Sequence, residues 1–271
     1  MNMTTNEVIL FTGCSFTVSP YISNVGQPGQ KWIVDKTWST HFSCKEHINV
    51  AKIGYSNPEM IKAVFKYMSL NKHNHIDRII VALSGWERLY TPYHRFTPSS
   101  IFWQTSEEVR TKNHQPEQTF GSSHMNKELW WQKEVGVPTY NMISKYIDDT
   151  FIWLNNLYMM CKLKNIKLHV FQMLSPWPTN EEKEIQYEMF LQFILKEYTQ
   201  ALEKYEIFYE KNADIYGYPF VPELGGKIIW DNAVEFENEI EKYVLDPKGD
   251  AHPNKYGHKC IYDEVIKRLK I

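Results

Sequence analysis

Val8-Ile9-Leu10-Phe11-Thr12-Gly13-Cys14-Ser15-Phe16-Thr17 decides how the chain is read. Four consecutive apolar residues, none of them glycine or proline, are the pattern of a strand covered on both faces. The run stops at a small-residue turn that presents a hydroxyl. Working outward, Asp77 to Leu83 repeats the pattern with Ile79-Ile80-Val81-Ala82-Leu83 and ends at Ser84-Gly85. Lys167 to Met173 also reads as a strand, ending before Ser175-Pro176-Trp177-Pro178. His47 to Ala51 is a shorter candidate, and Lys227 to Trp230 a weaker fifth.

Helical periodicity fills the intervals. Asn57 to Leu70 carries Met60, Ile61, Val64, Phe65 and Met68 at helical spacing, with Pro58 in the first turn. Asn141 to Asn165, Asn180 to Tyr205, Ala233 to Leu245 and Asn254 to Leu269 complete the set. Strands alternating with helices predict one three-layer α/β/α domain over residues 1–271, with a parallel sheet of about five strands. Tyr90 to Thr139 breaks the rhythm. It is polar, includes Trp103, Trp130 and Trp131, and is too long for an ordinary connection. It reads as an insertion or lid at about 90–139, or as a decorated surface loop.

Composition narrows the function. The chain has 271 residues, 43% hydrophobic and 15% aromatic, enough to build a large core. A formal net charge of -2 without a basic tract offers no global attraction to nucleic acid or anionic lipid. No apolar run reaches the roughly 18 residues that span a bilayer. Cys14, Cys44, Cys161 and Cys260 are widely spaced and read as reduced thiols. With a polar Met1 to Glu7, these features predict a cytoplasmic protein. A virion component is the other setting they allow.

The chemistry gathers at two ends of the chain. Ser15 follows the first strand, and Gly249-Asp250-Ala251-His252-Pro253-Asn254 reads as a proline-punctuated loop just before the last helix. A serine, a histidine and an aspartate are the set that acyl transfer uses. In an open parallel sheet, binding groups collect at the carboxyl ends of strands. Gly54 and Asn57 fall after the second strand, and Ser84, Trp86 and Arg88 after the third, at those same ends.

The order and placement of these blocks resemble the SGNH (GDSL-like) hydrolase family. Gly13-Cys14-Ser15 is similar to its Gly-Asp-Ser block, with Cys14 in place of the aspartate. Gly54 stands at the oxyanion glycine, and Asp250-Ala251-His252 resembles the C-terminal Asp-x-x-His. Ser84-Gly85-Trp86-Glu87 occupies the place of Gly-x-Asn-Asp, so the oxyanion asparagine is missing. Some phage and marine members look similar here, with Ser or Thr at the strand end and Arg a few residues on. Asp250 stands two residues before His252 where the family has three, and Asp246 is the alternative acid.

The resemblance implies a flavodoxin-like fold and a serine esterase. Ser15 would be nucleophile, His252 base and Asp250 the acid that orients it, with the Ser15 and Gly54 N–H groups forming the oxyanion hole. Asn57, Ser84, Trp86 and Arg88 are candidate substrate contacts. A small acyl group on a carbohydrate is the implied substrate, without metal or organic cofactor. The rivals are an O-acyltransferase on the same scaffold and a non-catalytic binding or structural module. Other groups have plainer readings: Cys14 in the core, His73 and His75 in a solvated loop, His169 a core histidine, His258 packed in the last helix.

Overall fold

The computed structural model describes residues 5–23, 32–53, 55–71, 74–84, 139–174, 192, 195–197, 199–201, 203–204, 213–216, 227–230, 242–246 and 250–269. Its centre is a five-stranded parallel sheet. The strands are β1 (Thr5–Thr12), β4 (Cys44–Asn49), β5 (Arg78–Leu83), β6 (Lys167–Gln172) and β7 (Ala213–Tyr216), in the spatial order β4-β1-β5-β6-β7. Numbered within the sheet, that order is 2-1-3-4-5, the doubly wound arrangement of flavodoxin-like folds. Every pairing is parallel. Two short ribbons lie outside the sheet, β2 (Tyr21–Ser23) with β3 (Trp32–Val34), and β8 (Val244–Asp246) with β9 (Asp250–Pro253).

Alternation along the strands sorts the core into two layers. Val8 and Leu10, Ile79, Val81 and Leu83, and Leu168 and Val170 face one side. There they meet Ile61 and Val64 of α1 (Asn57–Leu70) and Ile147, Phe151, Leu154 and Tyr158 of α2 (Thr139–Lys164). Ile9 and Phe11, Ile80 and Ala82, and Phe171 face the other side. Trp38, Ile229, Trp230 and Ile261 and Val265 of α3 (Lys255–Leu269) cover them. A strand buried on both faces has no polar side to show, which is why β1 and β5 read as continuous apolar runs.

Local chemistry sets the helix ends. The Ser56 N–H donates to Glu59 Oε2 at 2.9 Å, one half of a capping box, and fixes where α1 begins. Asn165 takes a left-handed φ of 54° and ends α2, and the Ile166 N–H returns to the Cys161 carbonyl at 2.9 Å. The chain can then enter β6 directly.

The observed elements correct several sequence expectations. The fifth strand is Ala213–Tyr216, whereas Lys227 to Trp230 contributes only an isolated parallel bridge from Ile228 to Gln172. The helix expected to run through Leu245 has given way to strand β8 by Val244. The segment carrying His252 is a strand of an antiparallel ribbon and not a loop. Of the helix expected over Asn180 to Tyr205, Leu195 and Ala201 are described and pack on the first layer. The segment at about 90–139 lies outside the described residues, except for Thr139 at the start of α2. No helix among the described residues is long and apolar enough to cross a membrane.

Candidate active site

Doubly wound sheets open a crevice where successive connections leave in opposite directions. Here that switch falls between β1 and its neighbour β5, because β4 lies on one side of β1 and β5 on the other. Ser15 and Ser84 follow these two strands.

A tight turn carries Ser15 out of the sheet. The Cys14 carbonyl accepts from the Thr17 N–H at 2.9 Å and the Val18 N–H at 3.3 Å. The turn leaves no room beside Gly13. A Cβ there would stand 2.2 Å from Thr17 Oγ1 and 2.8 Å from Thr17 Cβ. Cys14 is buried in the second core layer, away from solvent. Ser15 itself is 3% exposed, and its N–H donates to no acceptor among the described residues.

His252 reaches the same point from the far end of the chain. Its Nε2 lies 2.6 Å from Ser15 Oγ, a hydrogen bond across 237 residues of sequence. Asn254 anchors the ribbon that delivers it. The Asn254 amide donates to the Lys242 carbonyl at 2.7 Å and the Val244 carbonyl at 3.0 Å. Asn254 Oδ1 accepts from the N–H groups of Tyr256 at 2.9 Å and Gly257 at 3.1 Å, capping α3. One side chain thus ties β8, β9 and α3 together.

Aromatic rings enclose the imidazole. Tyr21 stacks on His252 with centroids 4.6 Å apart and planes at 23°. Phe16 approaches at 5.2 Å and 44°, and itself packs edge-on against Trp230 at 5.6 Å. Behind this group, His258 of α3 is 1% exposed and accepts the Trp38 N–H on Nδ1 at 3.3 Å. Burial, reinforced by the neighbouring His252 and His41, pushes the His258 imidazole down to about 3. It is neutral at ordinary pH.

Asn57 and Ser84 meet each other at the carboxyl end of β5. The Ser84 N–H donates to Asn57 Oδ1 at 2.8 Å, and the Ser84 carbonyl accepts from Gln172 Nε2 at 2.6 Å. Both residues are fully buried. The Ser84 hydroxyl is also buried and has no hydrogen-bond partner among the described residues. A buried hydroxyl left unpaired is costly and marks a place where a further acceptor or donor would be favourable.

Gly54, Trp86 and Arg88 lie outside the described residues. Asp250 and Asp246 are opposite one another in the β8–β9 register, and their side chains are outside the described set. His75 is exposed and pairs with Asp77 at 2.6 Å, and His73 is not described. His169 is buried beside the Arg78 guanidinium, which also clasps Glu7 at 2.9 and 3.0 Å at the opposite, amino edge of the sheet. The Arg78 hydrogen bond holds the Glu7 carboxyl below its usual range. Among the described residues, no group of His, Cys, Asp and Glu has the arrangement of a metal site.

Sequence reasoning missed Tyr21 and the anchoring role of Asn254. Tyr21-Ile22-Ser23 and Trp32-Ile33-Val34 flank Gly26-Gln27-Pro28-Gly29, a turn-rich hairpin signal that could have revealed the first ribbon. Nothing local could have shown which ring Tyr21 meets.

No family model matches the chain, and no curated protein matches its sequence. Comparison with solved structures finds a catalytic mutant of Axe2, an acetylxylan esterase from Geobacillus stearothermophilus. The match has 11% identity and a TM-score of 0.48, covering 99% of this chain and 96% of that one. Axe2 itself matches at 12% identity with a TM-score of 0.43, covering 100% and 97%. The psychrotrophic esterase EstA from Pseudoalteromonas sp. matches at 10% identity with a TM-score of 0.41, covering 98% and 97%. Likeness this distant does not carry an activity from one chain to another. The α/β/α assignment rests on strand order and the two packed layers, and any chemistry rests on the side chains at the switch point.

Proposed function

We propose that this chain is a serine esterase of SGNH type, cleaving a small acyl ester on a carbohydrate through Ser15, His252 and Asp250. The observation that carries the reading is the 2.6 Å contact between Ser15 Oγ and His252 Nε2. A serine hydroxyl needs a neighbouring base, and the geometry required of such a base is hydrogen-bond reach.

The steps follow from that contact. Ser15 Oγ attacks the ester carbonyl carbon as its proton passes to His252 Nε2. The carbonyl oxygen becomes an oxyanion, for which the Ser15 N–H, without an acceptor among the described residues, is a ready donor, with Gly54 as the second. Collapse expels the alcohol, which takes the proton from His252, and leaves acyl-Ser15. Water then gives a proton to His252 and attacks the acyl carbon. The carboxylic acid departs, and Ser15 recovers its proton. Asp250 is the proposed orienting acid. It stands two positions from His252 on one strand, and positions i and i+2 of a strand share a face. The two-residue spacing therefore suits a ribbon, although it departs from the family's loop pattern.

The buried Ser84 hydroxyl stands where the strand end meets the family's missing asparagine block. It supports a polar contact to substrate at that place, with Trp86 and Arg88 further along the same segment. Turnover of a small acetyl ester by the full chain tests the proposal. Ser15→Ala and His252→Ala should each lower kcat by at least about 10³-fold while the fold is kept. Retention of most activity by either variant would overturn the assignment. Adding a sugar acceptor and analysing products separates hydrolysis from acyl transfer.

A further inference from the structure

We infer that Tyr21 is a positioning residue for the histidine base, stacking on His252 and favouring the imidazolium that forms when Ser15 gives up its proton. The inference rests on the Ser15–His252 reading and adds a residue that the triad pattern does not contain. Tyr21 is 4% exposed, so its ring is fixed in place by packing. Its strand pairs in register with β3, Tyr21 opposite Val34, which is also buried. The centroid separation of 4.6 Å and the small interplanar angle of 23° put the face of the ring against the face of the imidazole.

That arrangement does two things. It limits rotation of the imidazole, keeping Nε2 aimed at Ser15 Oγ. It also places the negative face of an aromatic ring beside a group that becomes cationic only during attack, and a ring face within about 6 Å attracts a cation. An attraction that grows as the proton moves is stronger in the transition state than in the ground state, the condition for raising kcat. Phe16 cannot supply the same effect equally, because its ring is tilted by 44° and lies farther away.

Among the described side chains, His252 meets Ser15 from the turn after β1, Tyr21 from β2 and, as a titratable neighbour, His258 from α3. Asp246 and Asp250 belong to the same ribbon in sequence, with side chains outside the described set. His258 is buried and neutral, so it contributes no competing charge near neutral pH.

The test uses the full chain with Tyr21→Phe, Tyr21→Met and a series of fluorinated phenylalanines at position 21, which keep the ring's shape while weakening its negative face. Two quantities are read, the pH dependence of kcat/KM on a small acetyl ester and the His252 imidazole titration by NMR. Tyr21→Phe should keep the wild-type acid limb. Tyr21→Met should move it to lower pH by about half a unit and lower kcat roughly 3- to 10-fold, with KM little changed. Successive fluorination should move the limb progressively in the same direction, and this arm remains readable if Tyr21→Met does not fold. Loss of activity with an unmoved limb, or a limb indifferent to fluorination, would overturn the inference. If the wild-type protein turns over no ester, the NMR titration still reads the stacking. A fluorination-dependent shift would then leave the Tyr21–His252 coupling standing while the esterase reading falls.

Discussion

Replacing Gly257 with alanine sets two effects of known size against each other. Gly257 lies in the first turn of α3, where alanine would ordinarily stabilise a helix by up to about 1 kcal/mol. The surroundings forbid the gain. A Cβ at Gly257 would stand 2.3 Å from the Tyr243 carbonyl oxygen, 3.0 Å from Pro253 Cβ and 3.2 Å from the Trp230 ring. The first of these is backbone, so relief requires α3 and the β8–β9 ribbon to separate by roughly 1 Å. Overpacking of this kind costs about 1 to 3 kcal/mol, which exceeds the propensity gain. The functional cost is larger, because the ribbon carries His252. Moving it by about 1 Å would stretch the 2.6 Å contact with Ser15 beyond hydrogen-bonding range. A misplacement of that size is worth about 10²-fold in rate. Urea unfolding and ester turnover on Gly257→Ala, with the exposed Tyr256→Ala as control, read both quantities. Wild-type stability and turnover in Gly257→Ala would refute the reasoning.

Three further outcomes follow from named contacts. The His258 imidazole is pushed down to about 3 by burial, so the unfolded chain binds a proton there at mildly acid pH that the folded chain refuses. Its contribution to stability is fully present above the unfolded value near 6.5 and is lost as pH falls toward 3; about 2 kcal/mol should disappear between about pH 7.5 and about pH 5. Denaturant titrations of the wild type and His258→Gln should show the acid loss shrinking in the variant. Asn254→Ala removes the α3 cap and the two bonds to the Lys242 and Val244 carbonyls. It should cost about 2 to 3 kcal/mol in unfolding experiments and weaken turnover beyond what stability explains. Asn57→Ala leaves the buried Ser84 N–H without its acceptor and should cost about 1 to 3 kcal/mol by thermal or urea unfolding.

Much of the scaffold was legible because burial on both faces leaves a plain signature. β1 and β5 contain continuous apolar runs, Val8–Phe11 and Ile79–Leu83, and α1 begins and ends where its pattern places it, Asn57–Leu70. The fifth strand was harder to read. Ala213-Asp214-Ile215-Tyr216 is four residues long at the edge of the sheet, where one flank needs no partner and the apolar signal fades. The His252 segment was misread as a loop because Asp, Pro and Gly are turn formers by local chemistry. Its strand pairing comes from Val244 and Asp246, whose partners are set by tertiary structure. The serine and histidine could be singled out by residue type and position. Their distance, and the ring of Tyr21 against the imidazole, depend on chain closure that no local pattern encodes.

Reaction with a fluorophosphonate, read by intact mass and peptide mapping, tests the central claim most directly. Attack by an activated Ser15 on phosphorus expels fluoride and leaves one stable covalent adduct. The account predicts stoichiometric labelling on Ser15, none in Ser15→Ala, and labelling slowed by about 10²-fold or more in folded His252→Ala. An unlabelled Ser15 in folded protein, or labelling at wild-type rate without His252, would contradict it.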